Sequence, residues 1–150
     1  EQLPYLGSVI KEVLRVQPPV FHVIRVAKED DVLPSGVFIP KGTQVFLSIF
    51  SIHHNPKVWG PTVDEFRPER CEDPDLPDRL GLCGWMPFVA GKRNCIGKDF
   101  AMGELLMSVA MIIRRLEVAF ADGQAAAVNR VGLVVRPRDP LRFVFRQRSH

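Results

Sequence analysis

The sequence predicts a mainly α-helical fold with small β-sheets, which places it in the α+β class. Apolar side chains recur with the helical period in two segments, residues 3–16 and 96–116. Short runs of β-branched and aromatic residues follow each helix, bounded by turns that contain proline and glycine. With 150 residues, the chain has the size of one domain.

The first helix is predicted over residues 3–16, where the apolar residues form a stripe along one face. Its members are Leu3, Leu6, Val9, Ile10, Val13, Leu14 and Val16. Pro18 and Pro19 end the helix, because proline cannot continue it and the residue before a proline avoids the α region.

The next zone predicts short strands at residues 20–26, 37–39 and 43–48, joined by hairpin turns at 34–36 and 40–42 into a small sheet. A short helix is expected at 51–54. After the second long helix, residues 116–120, 131–135 and 141–145 predict closing strands.

Residues 55–87 have no sustained period and predict an ordered meander rather than regular structure. Of the 13 prolines in the chain, eight lie between Pro34 and Pro87. Long loops inside compact domains are usually functional or disordered. Five apolar residues are expected to anchor this one: Trp59, Phe66, Leu80, Leu82 and Trp85.

Composition excludes several classes of protein. Apolar residues make up 46% and charged residues 25%, which are ordinary globular values, and the net charge of +3 is too small to indicate a nucleic-acid partner. Three cysteines without a C-x-x-C pair argue against a disulfide framework and a structural zinc site. Cys71 and Cys83 are therefore interpreted as free intracellular thiols. The chain begins at Glu1 and has no apolar run long enough for a bilayer, so we expect a piece of a longer protein.

Cys95 lies between a glycine-bearing loop and the second long helix. A cysteine at a helix N-terminus favours the thiolate, which is either a nucleophile or a metal ligand. A buried, unreactive cysteine is the commoner alternative for such a position. A nucleophile would require a histidine base, whereas glycines at 91 and 97 and Arg93 favour ligation beside a flat, anionic group. The adjacent His53 and His54 do not have the spacing of a helical zinc site.

The spacing around Cys95 distinguishes these alternatives. Residues 88–101 match F-x-x-G-x-R-x-C-x-G-x-x-x-A, which resembles the heme-binding loop of the cytochrome P450 family. The resemblance implies that Cys95 is the axial ligand of heme b iron and that Arg93 and Arg25 pair with its propionates. For Arg25, an ordinary arginine on a strand face is the alternative. The other loop positions implied to contact the heme are Phe88, Gly91, Gly97 and Ala101.

Two further elements resemble the same family. Glu12 and Arg15 are three residues apart on the first helix, and residues 68–70 form its P-E-R element in the meander. The resemblance implies that Glu12, Arg15 and Arg70 form a buried network that is structural rather than catalytic. Cys71 replaces the aromatic residue usual after this element, and we expect some loss of packing there.

The resemblance implies the C-terminal part of a cytochrome P450 domain over residues 1–150, without the N-terminal part. The implied activity is a heme-thiolate monooxygenase that inserts one oxygen atom of O₂ into a lipophilic substrate, with electrons from an NADPH-dependent reductase or another donor. The amino-acid sequences of segments 51–56 and 94–102 are most similar to those of the fatty-acid ω-hydroxylases of eukaryotes. Segments 19–24 and 131–133 are expected to border the substrate.

Membrane association is expected only through the N-terminal region, at the endoplasmic reticulum for a microsomal type. Lys92 and Lys98 are interpreted either as a docking surface for an acidic electron donor or as ordinary solvated lysines. Rival readings are an isomerase, dehydratase or peroxygenase on the same fold, a truncated or degenerate copy, and a plain thiol or zinc protein. We expect the 150 residues alone to be inactive.

Overall fold

The computed structural model describes residues 3–121, the backbone of residues 128–131, and residues 133–149. Helix α1 spans Pro4–Val16 and α5 spans Lys98–Arg115. Between them lie short helices α2 (Ile49–His53), α3 (Pro56–Trp59) and α4 (Leu76–Leu80), with 3₁₀ turns at Pro68–Glu72 and Gly91–Arg93. The eight strands are β1 (His22–Val26), β2 (Asp31–Val32), β3 (Phe38–Ile39), β4 (Gln44–Ser48), β5 (Leu116–Phe120), β6 (Val128–Val131), β7 (Val134–Pro137) and β8 (Phe143–Gln147).

All four described sheets are antiparallel pairs. β1 pairs with β4 and β2 with β3, so the β2–β3 hairpin lies within the connection between β1 and β4. The sequence predicted one small sheet here and missed β2, because two residues are too few to show a period. β5 pairs with β8, β6 pairs with β7, and a bridge joins Val20 to Val134. This bridge places one predicted substrate-bordering segment beside the start of β7. Of segment 131–133, the Val131 side chain and Gly132 lie outside the described residues.

Local signals explain where the helices begin. Pro4 occupies the first turn of α1, where its missing N–H costs nothing. The Ser48 hydroxyl accepts from the Ser51 N–H at the start of α2, and the Asn55 side chain accepts from the Lys57 N–H at the start of α3. Helix α5 begins at Lys98 rather than at 96, because Ile96 and Gly97 form a turn before it.

The core beside α1 is small and lies mainly in the meander. Trp59, Val63 and Leu76 form its buried centre, and Val58, Leu80 and Trp85 pack against it. Trp59, Leu80 and Trp85 are thus anchors as expected. The expectation was wrong for the other two, since Leu82 is 91% exposed and Phe66 is 52% exposed. Both side chains remain largely in solvent, which sequence composition alone does not reveal.

No helix in the part of the chain that the structure describes is both long enough and apolar enough to cross a membrane.

Candidate functional site

Glu12, Arg15 and Arg70 are joined by hydrogen bonds beneath the meander. The Arg15 Nε and Nη2 atoms donate to the two Glu12 carboxylate oxygens at 2.8 and 2.9 Å, and Arg70 Nε donates to Glu12 Oε1 at 3.0 Å. Glu12 and Arg15 are fully buried, and the Arg70 side chain is 9% exposed. The spacing on α1 puts Glu12 and Arg15 on one face, and the 3₁₀ turn Pro68–Glu72 brings Arg70 to them.

The remaining donors of the network are bound to backbone oxygens. Arg15 donates to the carbonyls of His53 and Glu65, at 2.9 and 3.1 Å. Arg70 Nη2 donates to the Thr62 carbonyl at 2.8 Å. The network therefore links α1, the end of α2 and the meander, and it leaves each buried charge with several partners, as a buried ion network requires.

The electrostatics of Glu12 favour its ionised form. Burial by itself would raise the pKa of the Glu12 carboxyl group. Hydrogen bonds from Arg15, the Arg67 N–H and Arg70, together with the Arg15 charge, outweigh burial and hold that pKa below its usual value. Glu12 consequently acts as a permanent anion that holds two cations.

The loop that carries Cys95 is closed by its own backbone. The Cys95 N–H donates to the Phe88 carbonyl at 2.9 Å, and the chain between them turns through Gly91–Arg93. Gly91 has a φ of 77°, in the left-handed region that glycine tolerates best, and Val89 has a φ of 62°. The Cys95 side chain is exposed, so its thiol is accessible at the edge of the loop.

The positions after Cys95 lead into α5. Gly97 precedes the helix, and a side chain there would meet the Cys95 Sγ atom at 4.0 Å. Ala101 lies in the first turn of α5, with its N–H donating to the Gly97 carbonyl at 2.9 Å. Cys95 is therefore three residues before the first helical residue, not at the helix terminus itself, so the helix dipole acts on it from a greater distance than the sequence suggested.

A cavity of about 480 Å³ brings together two of the predicted heme-contacting arginines. Arg25 from β1 and Arg93 from the cysteine loop both line it, as does Gly91. Arg25 is exposed and donates through Nη1 to the Ile24 carbonyl, at 2.9 Å. Apolar walls are supplied by Val23, Leu47, Met86 and Val89.

Lys92 also lines this cavity, and the remaining predicted site residues lie outside it. Phe88 lines an adjoining cavity of about 180 Å³ together with Asn94 and Lys98. Cys95, Gly97 and Ala101 line neither cavity. Lys92 and Lys98 are both exposed.

The donor set suits an amphipathic group with carboxylates on one edge. Two guanidinium groups can pair with carboxylates, apolar side chains can cover a flat hydrophobic body, and an exposed thiol close by in the chain can bind a metal at its centre. These features fit heme. None of these three interactions requires a side chain to leave a buried ion pair.

Sequence reasoning missed the part played by His53, which it considered as a metal ligand or as a base that could approach Cys95 in the fold. His53 is fully buried, and each ring nitrogen is hydrogen-bonded to backbone, Nδ1 with the Arg15 carbonyl at 3.2 Å and Nε2 with the Met86 N–H at 2.9 Å. The signal available in the sequence was the H-N-P run at residues 54–56, directly after His53. Asn55 caps α3 there and so fixes where α2 ends. Cys71 and Cys83 are free thiols, Cys71 half-buried and Cys83 exposed.

Comparison with known proteins identifies the class to which this fold and site belong. The cytochrome P450 family model matches residues 1–145, and the chain therefore belongs to the cytochrome P450 family. A crystal structure of a cytochrome P450, CYP102L1, superposes with a TM-score of 0.84 at 33% identity, over 98% of this chain and 32% of that one. The predicted fold class is confirmed.

Curated relatives with similar sequences include ω-hydroxylases. Cytochrome P450 4F6 of Rattus norvegicus is 46% identical over 114 residues, which are 76% of this chain and 21% of the relative. The ultra-long-chain fatty acid omega-hydroxylase of Homo sapiens is 46% identical over 118 residues, 79% of this chain and 22% of the relative. Leukotriene-B4 omega-hydroxylase 3 of Mus musculus is 44% identical over 117 residues, 78% and 22% of the two chains. The predicted similarity to ω-hydroxylases is confirmed, and the chain spans about a fifth of the length of these relatives.

Proposed function

We propose that residues 1–150 supply the C-terminal, heme-binding side of a heme-thiolate monooxygenase that hydroxylates a lipophilic substrate. The observation that carries the proposal is the cavity in which Arg25 and Arg93 meet, directly beside the loop that bears the accessible Cys95 thiol. Membership of the cytochrome P450 family supports the same reading.

Each of the predicted cofactor-binding residues would contact the heme. Cys95 would ligate the iron of heme b through its thiolate, and Arg25 and Arg93 would pair with the propionates. Phe88, Gly91, Gly97 and Ala101 would contact the group from the loop and from α5. When bound, heme would supply the activation of O₂, with one oxygen atom entering a C–H bond and the other leaving as water after two electrons and two protons are delivered.

The protein around the group controls access and placement. Val23, Leu47 and Met86 would cover the hydrophobic face of the cofactor and keep water from it. The Glu12, Arg15 and Arg70 network would hold α1 against the meander, so that the walls of the cavity keep their spacing. Its contribution is structural, because none of its atoms lines the cavity.

For the substrate, we propose a long-chain fatty acid or a related lipid, oxidised at or near its ω carbon. The support is the similarity to a fatty acid omega-hydroxylase and a leukotriene-B4 omega-hydroxylase. We propose an NADPH-dependent reductase as electron donor, with Lys92 and Lys98 offering exposed positive charge to an acidic partner. The microsomal membrane of the endoplasmic reticulum is the proposed location.

The test is the reduced, CO-bound difference spectrum of the full chain, by which we mean the longer protein that contains residues 1–150. The spectrum is compared between wild type, Cys95→Ser and Cys83→Ser. Cys83 is a matched control, because it is also an exposed free cysteine and it lines the same cavity as Arg25. We expect a thiolate-type band in wild type and Cys83→Ser and its loss in Cys95→Ser. An unchanged spectrum in Cys95→Ser would refute the ligand assignment.

The substrate proposal has a separate test. The full chain, a reductase and NADPH are incubated with a saturated long-chain fatty acid, and the products are separated by mass spectrometry. An ω-hydroxylated product that depends on O₂ and NADPH is expected. A normal thiolate-type spectrum with rearranged product, or with peroxide-dependent product only, would instead favour an isomerase or a peroxygenase.

A further inference from the structure

His53 lies at the meeting point of three segments that are distant in sequence. It is the last residue of α2 and is wholly buried. Its carbonyl accepts from Arg15 Nη1 at 2.9 Å, and its Nδ1 atom is 3.2 Å from the Arg15 carbonyl. Its Nε2 atom is 2.9 Å from the Met86 N–H. The imidazole ring therefore connects α1 to the segment that precedes the cysteine loop.

The partners of the ring fix its tautomer. A backbone N–H can only donate, so Nε2 must be unprotonated to accept from Met86. The single proton of the neutral ring then lies on Nδ1, which donates to the Arg15 carbonyl. Only this tautomer satisfies both hydrogen bonds at once.

Met86 is the first residue of a turn that leads directly into the cysteine loop. Its carbonyl accepts from the Val89 N–H at 2.9 Å, and Val89 has the left-handed φ of 62°. The next link is the hydrogen bond from the Cys95 N–H to the Phe88 carbonyl. Met86 is 4% exposed and lines the cavity shared by Arg25 and Arg93. A shift of the Met86 backbone would move both a wall of the cavity and the base of the loop.

We infer that His53 is a positioning residue: through the Met86 N–H it holds the turn at residues 86–89, and with it the cysteine loop, at a fixed place relative to Arg15 and Glu12. The expected effect of His53 on heme binding rests on the proposed function. The effect of His53 on the position of the turn at residues 86–89 is independent of that function.

Two amide substitutions separate the two ring nitrogens. In His53→Gln, the longer side chain can bring its carbonyl oxygen to the place of Nε2 and accept from Met86, but it loses the donor to Arg15. In His53→Asn, the shorter side chain can donate to the Arg15 carbonyl and leaves the Met86 N–H without an acceptor. Each variant loses one hydrogen bond to backbone, so a merely structural role predicts that they behave alike.

The experiment measures amide hydrogen exchange across residues 84–95 in the full chain, together with the fraction of thiolate-type spectrum. We expect exchange at Met86 and Val89 to rise about tenfold in His53→Asn and to stay near the wild-type rate in His53→Gln. The thiolate-type fraction should fall in the same order. His54→Asn and His54→Gln are the matched controls, because the His54 ring is hydrogen-bonded within its own helix turn, to the Phe50 carbonyl at 2.9 Å.

Equal exchange in the two His53 variants, or no change in either, would overturn the inference. If wild type itself gives no thiolate-type band, the proposed function fails, and the exchange comparison still decides the role of His53. Should the asparagine variant not accumulate, ¹⁵N-histidine spectra of wild type at pH 7 provide the decision. A neutral ring with its proton on Nδ1 is expected, and a proton on Nε2 would rule out the contact with Met86.

Discussion

At the scale of single residues, the buried imidazole of His53 titrates well below its usual range. Burial lowers the pKa of His53 to about 4, and the positive charge of Arg15 acts in the same direction. The unfolded chain binds the proton below about pH 6.5, whereas the folded chain binds it only near pH 4. The contribution of His53 to the free energy of unfolding should therefore be constant above pH 7 and fall by about 3 kcal/mol as the pH decreases from 6.5 towards 4.

Urea unfolding of wild type and His53→Gln between pH 7 and pH 5 measures this dependence. The glutamine variant does not titrate, so most of the slope in this range should disappear. Glu12 contributes in a lower range, since its pKa is held below the usual value of 4.5 and its stabilisation is lost only as the pH falls beneath that value. Equal slopes in the two proteins would show that His53 takes up its proton without loss of stability.

Cys71 provides a second prediction at the scale of one side chain. It lines a cavity of about 300 Å³ together with Trp59, Trp85 and Lys11, at the position where the family resemblance led us to expect an aromatic residue. Burial, and next the nearby Glu12 charge, raise the pKa of the Cys71 thiol, so it behaves as a small apolar group. An aromatic ring would occupy space that the thiol leaves unfilled.

Cys71→Phe should therefore stabilise the full chain by about 1 kcal/mol, because it buries apolar surface without displacing a polar contact. Cys71→Ala is the matched control and should lower the stability, since it enlarges the same cavity. Thermal unfolding of the three proteins gives the answer. A lower melting temperature for Cys71→Phe would mean that the cavity walls cannot admit a ring.

At the scale of elements, the contact between α1 and the 3₁₀ turn Pro68–Glu72 depends on one anion. Glu12 Oε1 accepts from both Arg70 Nε and the Arg67 N–H, at 3.0 and 2.9 Å. Removing Glu12 leaves the buried Arg15 charge without its partner, at a cost of about 3–5 kcal/mol, and removing Arg70 takes one of two cations away from Glu12. We expect Glu12→Ala and Arg70→Ala to lose folded, heme-loaded protein rather than turnover alone.

The yield of heme-loaded protein and the urea midpoint measure that loss. Arg79→Ala is the control, because Arg79 and Asp73 also form a 2.8 Å ion pair but their side chains are 56% and 33% exposed. Because solvent screens this exposed pair, we expect Arg79→Ala to leave the urea midpoint nearly unchanged. Normal heme content with impaired turnover in Glu12→Ala would indicate a catalytic role instead of a structural one.

The long elements were predictable because they repeat a pattern. The stripe of α1 and the alternation at β4 and β5 indicated their type and approximate bounds. The short helices α3 and α4 were missed, since four or five residues show no period and are stabilised by caps such as Asn55 and by packing around Trp59. Strand β8 begins two residues later than expected, because its pairing with β5 sets its register.

For the candidate site, the spacing of residues along the sequence predicted the cysteine loop. The arrangement of the other site residues depends on tertiary contacts. The motif selected Gly91, and the structure shows the positive φ that requires it. The convergence of Arg25 and Arg93 on one cavity was anticipated only through the family resemblance. The contacts of His53 join three segments, and no periodicity or short motif encodes an imidazole between Arg15 and Met86.

The molecule as a whole exposes far more surface than its mass warrants. Its accessible surface is 11287 Å², whereas a compact monomer of 16.9 kDa exposes about 7,700 Å². Much of the excess is apolar. On α5, Phe100 is 78% exposed and Met107 is 66% exposed, and on β8 Phe145 is 56% exposed. Apolar area on this scale normally marks an interface with other protein.

Residues 1–150 expressed by themselves should therefore bind the dye ANS strongly and sediment as aggregates, because apolar side chains of α5 such as Phe100 and Met107 are left exposed by the residues that the structure describes. They should also fail to oxidise a fatty acid in the presence of a reductase. In the full chain, the same face should be covered, so Phe100→Asp should destabilise that protein by an amount typical of a buried position, while Lys98→Asp, two residues away and exposed, should not. Dye titration, sedimentation velocity and urea unfolding measure these effects. A monodisperse 150-residue monomer that unfolds cooperatively, or a full chain indifferent to Phe100→Asp, would show that the exposed face of α5 is a true surface of the protein.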